Sequence, residues 1–315
     1  MNVLVIGSGA IGIALGASML SQKAKVSFYA TKKTAEAMND GINRTGIFKH
    51  LSFERDEFEV YTSYENIPRN YYDYIFVCSK TIANDDISNN LNNNRNILKE
   101  NTKIILFQNG FGNDEPYLRF FSKKTVYCAR VITGFRRSAR NTSEITVHTA
   151  PILIGSLQKQ DPQSLKEVSD IINKSGIESG ITEDLPRYLW AKMLYNCTLN
   201  PLGAILNVTY GKLTENPYTI NIMNKLIDEI FNVIQASGYS VEWNTSDEYK
   251  EIFYNKLVPD TYEHVSSTSQ DIQRKNKTEI DSLTGKVIRL GEEHKIDVST
   301  NKVIYNMIKA IESEF

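Results

Sequence analysis

Lys192, Asn196 and Asn200 recur at intervals of four within LWAKMLYNCTLNP, residues 189 to 201. Four residues advance a helix by slightly more than one turn, so an ammonium and two amides fall in one narrow sector. Trp190, Met193, Leu194 and Cys197 fill the adjoining sector. Such a helix buries an apolar face and carries a polar ridge along its border. Two uses stay open. The ridge can line a cleft, where a lysine stabilises negative charge developing on oxygen and gives up a proton while the amides hold a polar substrate. Or it faces solvent, as on any amphipathic helix. Asparagine competes for backbone hydrogen bonds and is a poor choice for a merely solvated face, so two of them in register with a lysine draw attention.

A second constellation lies at the start of the chain. VLVI, residues 3 to 6, reads as a strand buried on both faces of a parallel sheet, and GSGAIG follows it directly, with IALGASMLSQ continuing as a helix. Gly7, Gly9 and Gly12 keep the GxGxxG spacing. The first permits a tight turn, the second lets backbone approach a pyrophosphate, and the third lets helix and strand pack closely, with the helix N-terminus facing the phosphates. The whole loop of Gly7, Ser8, Gly9, Ala10, Ile11 and Gly12 is therefore a candidate cofactor cradle. The plain alternative is a glycine-rich turn without a ligand.

The elements that would position these groups alternate as an α/β chain does. KVSFYA is a second strand ending at Ala30, where an NAD-binding fold usually places an acid for the ribose 2′-hydroxyl. Here Thr31, Lys32 and Lys33 follow instead, which favours NADP(H), unless the lysines only solvate a surface turn. YDYIFVCSK (residues 72 to 80) and TKIILFQNG (residues 102 to 110) read as buried strands whose carboxyl ends carry Lys80 and Asn109. Ligands of open α/β sheets lie beyond those ends, although Asn109-Gly110 is also a common turn pair and Lys80 could be a solvated strand end. NNLNNNRN (residues 89 to 96) reads as an exposed helix end and loop. TVYCARVI and EITVHTAPILIGSL look like strands that complete the sheet, and PQSLKEVSDIINKSGI like a helix. From about Pro186 the pattern turns helical. We therefore expect residues 1–183 to form a Rossmann-type α/β dinucleotide-binding domain and residues 184–315 an all-helical substrate domain.

Composition narrows the partners. The 315 residues are 41% hydrophobic and 23% charged with a net charge of −1, which supplies a sizeable core and no basic footprint for nucleic acid. Cys78, Cys128 and Cys197 are odd in number and far apart, which suits reduced thiols and neither a disulfide framework nor a zinc site. The N-terminal apolar run is too short for a signal peptide, and no later run is long enough to span a bilayer. A cytoplasmic enzyme acting on a small molecule is expected, and a homodimer stays open as its assembly.

HVSSTSQDIQRKNKTEIDSLTGKVIRLGEEHKI (residues 264 to 296) opens with a polar, turn-like cluster containing Ser267 and becomes a helix with Ile280, Leu283, Val287 and Leu290 at apolar spacing. Glu279 falls in its polar part. By themselves, such a serine and glutamate are usually a cap or a solvated charge of a first helical turn.

Taken together, GSGAIG, FQNG, LWAKMLYNCTLNPLGAIL and SSTSQDIQRKNKTEID resemble the ketopantoate (2-dehydropantoate) reductase family, in the family's order and over nearly the whole chain. The resemblance implies NADPH-dependent reduction of 2-dehydropantoate to pantoate, on the route to pantothenate and coenzyme A, with the active site in the cleft between the two domains. It implies Lys192 as the catalytic lysine and Glu279 as the accompanying carboxylate, which also borders the cofactor. Asn196, Asn200 and Ser267 would bind substrate, Asn109 would stand at the junction of cofactor and substrate, and Lys80 would lie on the cofactor side. A free lysine titrates near ~10.4 and is protonated at neutral pH, and an ionised glutamate nearby favours that state. The chain departs from the family's pattern at Thr31, where an arginine usually ends the second strand, so Lys32 or Lys33 would have to meet the 2′-phosphate. Tyr210, His264 and Thr268 are further departures on the substrate side. The same fold could serve another 2-oxo or hydroxy acid; a non-catalytic dinucleotide sensor would keep the glycines and lose the proton donor.

Overall fold

Val3, Leu4 and Val5 are fully buried and Ile6 is 2% exposed, as a strand enclosed on both faces requires. This run is β1 (Asn2–Ile6), in the interior of an eight-stranded sheet. In chain order the others are β2 (Lys25–Tyr29), β3 (Ile42–Gly46), β4 (Leu51–Phe53), β5 (Glu59–Tyr61), β6 (Tyr72–Val77), β7 (Leu98–Leu106), β8 (Val126–Arg130), β9 (Thr133–Ala139), β10 (Thr142–His148), β11 (Ile152–Gly155) and β12 (Ser179–Thr182). The large sheet has the order β12-β11-β8-β7-β6-β1-β2-β5, with every neighbouring pair parallel except β8 and β11. The computed structural model describes residues 1–315. Contacts divide it into two units, residues 1–108 with 113–185, and residues 109–112 with 186–315.

The helices of the first unit are α1 (Ala10–Ser21), α2 (Lys32–Ala37), α3 (Asn84–Asn93), α4 (Glu115–Leu118) and α5 (Lys166–Lys174). Nine residues of α1, from Gly12 to Leu20, are buried, so this helix has no solvated face. The reason is a second sheet of order β4-β3-β10-β9, against which α1 packs. The expectation that EITVHTAPILIGSL completes the main sheet is corrected here. Its first part is β10 of the small sheet, and only β11 joins the large one. Both halves are β-branched and apolar, and such a run does not say which sheet it enters.

Arg44 on β3 ties these layers together. It is fully buried, and its Nη1 donates to Ser18 Oγ (2.6 Å) and Ser175 Oγ (3.1 Å), while Nη2 donates to the carbonyls of Ser175 (2.7 Å) and Lys49 (3.3 Å). Ser175 follows the last turn of α5, so the guanidinium satisfies a helix-end carbonyl where positive charge is favoured. Burial lowers its pKa to about 10, which leaves it charged at neutral pH.

The second unit is helical: α6 (Leu185–Leu206), α7 (Tyr210–Thr214), α8 (Pro217–Ala236), α9 (Ser246–Ile252), α10 (Ser267–Gln273), α11 (Thr284–Glu293) and α12 (Ser299–Glu312). The long helix α6 runs through Pro201, which has no N–H to give the carbonyl of Cys197. Trp190, Met193, Leu194 and Cys197 are each at most 1% exposed, so the apolar sector read from the sequence is the buried one. The segment holding Glu279 is not the first turn of a helix, as its spacing suggested. It is a run of turns, in which the amides of Ser282 and Leu283 donate to the Glu279 carbonyl, and α11 begins only at Thr284.

No helix is long and apolar enough to cross a membrane. No group of three or more His, Cys, Asp or Glu side chains is gathered as a metal would need.

Candidate active site

In the first unit, the turn between β1 and α1 is built on glycine. Gly7 has φ +96°, and a Cβ there would stand 2.4 Å from the backbone nitrogen of Ser79, so only glycine fits. A Cβ on Gly12 would meet the Gly7 carbonyl oxygen at 2.2 Å, which records how closely α1 returns onto the turn. Gly9 differs from both. It precedes α1 with φ −84° and ψ −163°, an extended conformation open to any residue, and a Cβ there would touch nothing within 4 Å. The protein itself does not need glycine at this position; a group arriving from outside would. Ser8, Ala10 and Ile11 complete the loop, and Ser8 Oγ donates to the Tyr29 carbonyl (3.3 Å) at the end of β2. These residues fit a dinucleotide pyrophosphate, whose negative charge would meet the unpaired N–H groups of the first turn of α1. Lys80 lies half-buried just beyond β6, and Lys32 is exposed in the first turn of α2.

The second unit gathers the other candidates around α6. Lys192 is half-buried, and its Nζ donates to Asn109 Oδ1 at 2.5 Å. Asn109 is distant in sequence, following β7, and reaches the lysine because the next residues are docked on this unit. The Phe111 ring lies 4.8 Å from Trp190 and 5.1 Å from Tyr239, centroid to centroid. The Phe111 amide donates to the Ser282 carbonyl (3.2 Å). Gly110 has φ +98°, and a Cβ there would sit 2.6 Å from that same carbonyl oxygen. Each aromatic contact of this kind is worth about 0.5–1.5 kcal/mol beyond the area it buries. Ser282 belongs to the turn that opens on Glu279, so the segment carrying the candidate carboxylate also carries the acceptor that fixes Asn109-Gly110-Phe111. Sequence reasoning missed Phe111, Tyr239 and Ser282; an aromatic directly after Asn-Gly was the available signal.

Asn196 is half-buried, and Asn200 is 4% exposed. Tyr210 Oη donates to Asn200 Oδ1 at 2.5 Å, and Ser266 Oγ donates to the Asn200 main-chain carbonyl at 3.2 Å. The side-chain acceptor of Asn200 is thereby committed, so its amide N–H groups are what it can offer an anion. Burial drives the Tyr210 phenol far above its usual pKa and keeps it a neutral donor. Its ring also packs 4.9 Å from that of His264, while Thr268 is buried nearby in the chain on α10. Ser266, not Ser267, caps α10, by accepting from the Ser269 amide at 3.0 Å. Ser267 is exposed in the first turn of α10, so its hydroxyl is not spent on the cap.

The geometry has counterparts in known proteins. Residues 3–159 match the family described as ketopantoate reductase PanE/ApbA, and residues 184–312 match its C-terminal counterpart. The 2-dehydropantoate 2-reductase of Aquifex aeolicus is 34% identical over 99% of this chain and 97% of its own. Among solved structures, 2-dehydropantoate 2-reductase from Geobacter metallireducens superposes with TM-score 0.88 at 19% identity, covering 98% of this chain and 99% of that one. D-mandelate dehydrogenase with NADH and anilino(oxo)acetate superposes with TM-score 0.86 at 16% identity, covering 100% and 99%. At such identities these two likenesses speak for the fold alone. The full-length relative and the two matched regions make this chain a member of the ketopantoate reductase family, a family of dinucleotide-dependent oxidoreductases.

Proposed function

We propose that this chain reduces 2-dehydropantoate to pantoate with NADPH, in the cytoplasm, with residues 1–183 binding the dinucleotide and residues 184–315 supplying substrate and proton-transfer groups. The observation that carries the reading is Lys192 Nζ held on Asn109 Oδ1. An amide oxygen is a neutral acceptor, so this contact orients the Lys192 ammonium without taking up its charge.

When bound, the dinucleotide supplies the hydride. The chain's own residues do the rest. Addition at a 2-oxo carbon leaves charge on the oxygen; Lys192 stabilises that charge and delivers a proton to it, an effect worth about 10²–10⁴-fold for a positioned acid. Glu279 keeps the site's charge balanced by favouring the ammonium form. Asn200, turned by Tyr210 so that its N–H groups are the donors on offer, suits the substrate carboxylate, and Asn196 and Ser267 suit its hydroxyl and remaining oxygen. Gly7 to Gly12 receive the pyrophosphate, with Lys80 and Lys32 on the cofactor side. Asn109 holds the proton donor.

The test is turnover across a panel of branched 2-oxo acids, followed by loss of NADPH absorbance. The reading expects 2-dehydropantoate to give the highest kcat/KM. Preference for a different oxo acid would keep the reaction type and overturn the substrate.

A further inference from the structure

Four cations gather at the end of β2 without an acid to pair with: Lys32 and Lys33 on α2, Arg137 on β9, and Arg140 in the turn after it. Their neighbour Arg136 shows the contrast, because Glu144 Oε2 accepts from both its Nε (3.0 Å) and its Nη2 (2.6 Å). Successive residues of a strand point to opposite faces, so Arg137 turns away from that pair. Its Nη2 donates instead to Thr34 Oγ1 (3.0 Å) and to the Arg140 carbonyl (2.7 Å). Thr34 is buried, and the hydroxyl of Thr31 donates to it at 3.2 Å. The guanidinium is thus anchored beside Thr31 on neutral oxygens that leave its charge intact. Burial, and after it the charge of Arg140, lower the Arg137 pKa. The group also adjoins the glycine loop, since Ser8 Oγ and the Gly7 amide both donate to the Tyr29 carbonyl, two residues before Thr31.

We propose that Arg137 is a cofactor-specificity residue: carried in from the small sheet, it binds the 2′-phosphate of NADP(H) that Thr31, at the end of β2, has no charge to bind. The proposal rests on the NADPH reading above. A phosphate monoester carries close to two negative charges at neutral pH, and the planar fork of an arginine matches its oxygens in a way a lysine cannot. Lys32 and Lys33 add charge, but neither is held in place by a hydrogen bond within the chain. Arg137 is, which makes it the geometric reader of the group.

The experiment is calorimetric binding of adenosine 2′,5′-bisphosphate and of AMP, which differ only in the 2′-phosphate, to the full-length protein, which reads that phosphate without turnover. Wild type is expected to favour the bisphosphate. Arg137→Gln, which keeps an N–H for Thr34 and removes the charge, is expected to weaken the bisphosphate about 10- to 100-fold and AMP by less than about twofold. Thr34→Val keeps the charge and removes the anchor, and is expected to show a smaller loss in the same direction. This second variant carries the test if the first does not fold. A wild type indifferent to the 2′-phosphate would overturn the NADPH reading and this proposal with it. A wild-type preference that is undiminished in either variant overturns the role of Arg137 and leaves the NADPH reading standing.

Discussion

Lys192 and Asn109 are far apart in the chain, yet the lysine ammonium lies 2.5 Å from the asparagine amide oxygen, because Phe111 packs against Trp190 and edge-on to Tyr239 and its amide is bonded to Ser282. The contact fixes where the lysine's proton points. Asn109→Ala is expected to lower kcat about 10- to 100-fold, since a misdirected donor loses most of the benefit of orientation. Steady-state kinetics with saturating 2-dehydropantoate and NADPH would measure it, and an unchanged kcat would show that the amide does not orient the lysine.

Gly7 and Gly9 make opposite predictions although they share one motif. Gly7→Ala places a methyl against Ser79 backbone at positive φ and is expected to cost about 1–3 kcal/mol of folding stability. Gly9→Ala meets no atom of the chain and should cost less than about 1 kcal/mol, while weakening dinucleotide affinity at least about 10-fold. Urea unfolding and cofactor titration of both variants separate the two effects. A Gly9→Ala protein that binds as tightly as wild type would mean that no phosphate comes close there.

Tyr210→Phe removes one hydroxyl from a buried pair. The Asn200 acceptor is left unsatisfied and its amide is no longer held in one orientation, so stability should fall by about 1–2 kcal/mol and KM for the oxo acid should rise more than kcat falls. A loss confined to kcat would point to a role in the chemical step instead.

These cases mark how far the sequence alone could be read. VLVI-GSGAIG and the apolar sector of LWAKMLYNC are local patterns, and the structure keeps them as a strand, turn and helix and as a buried helix face. The small sheet was not legible. It pairs β3 with β10 about a hundred residues later, and INRTG, with its Asn and Gly, has no strand signature of its own. Nor was the Phe111 docking, which depends on three separate segments meeting. The Tyr210 to Asn200 bond and the Thr34 to Arg137 bond are likewise tertiary facts, invisible to periodicity. Proline ordinarily ends or kinks a helix, whereas α6 continues past Pro201 to Leu206.

The thiols of Cys78, Cys128 and Cys197 are all buried, and burial pushes each pKa up, that of Cys197 to about 12. A raised thiol pKa means less thiolate at any pH below it, and thiolate is the reactive form. The native protein is therefore expected to resist alkylation at mildly alkaline pH and to expose all three thiols on unfolding. Rapid labelling of the native protein with a thiol reagent would contradict this.

The most direct test of the account is Lys192→Ala, assayed for NADPH-dependent reduction of 2-dehydropantoate alongside equilibrium binding of NADPH. The account predicts that turnover falls by at least about 10²-fold while NADPH affinity stays within about threefold of wild type. Turnover at the wild-type rate would remove Lys192 from the chemistry and contradict the central claim.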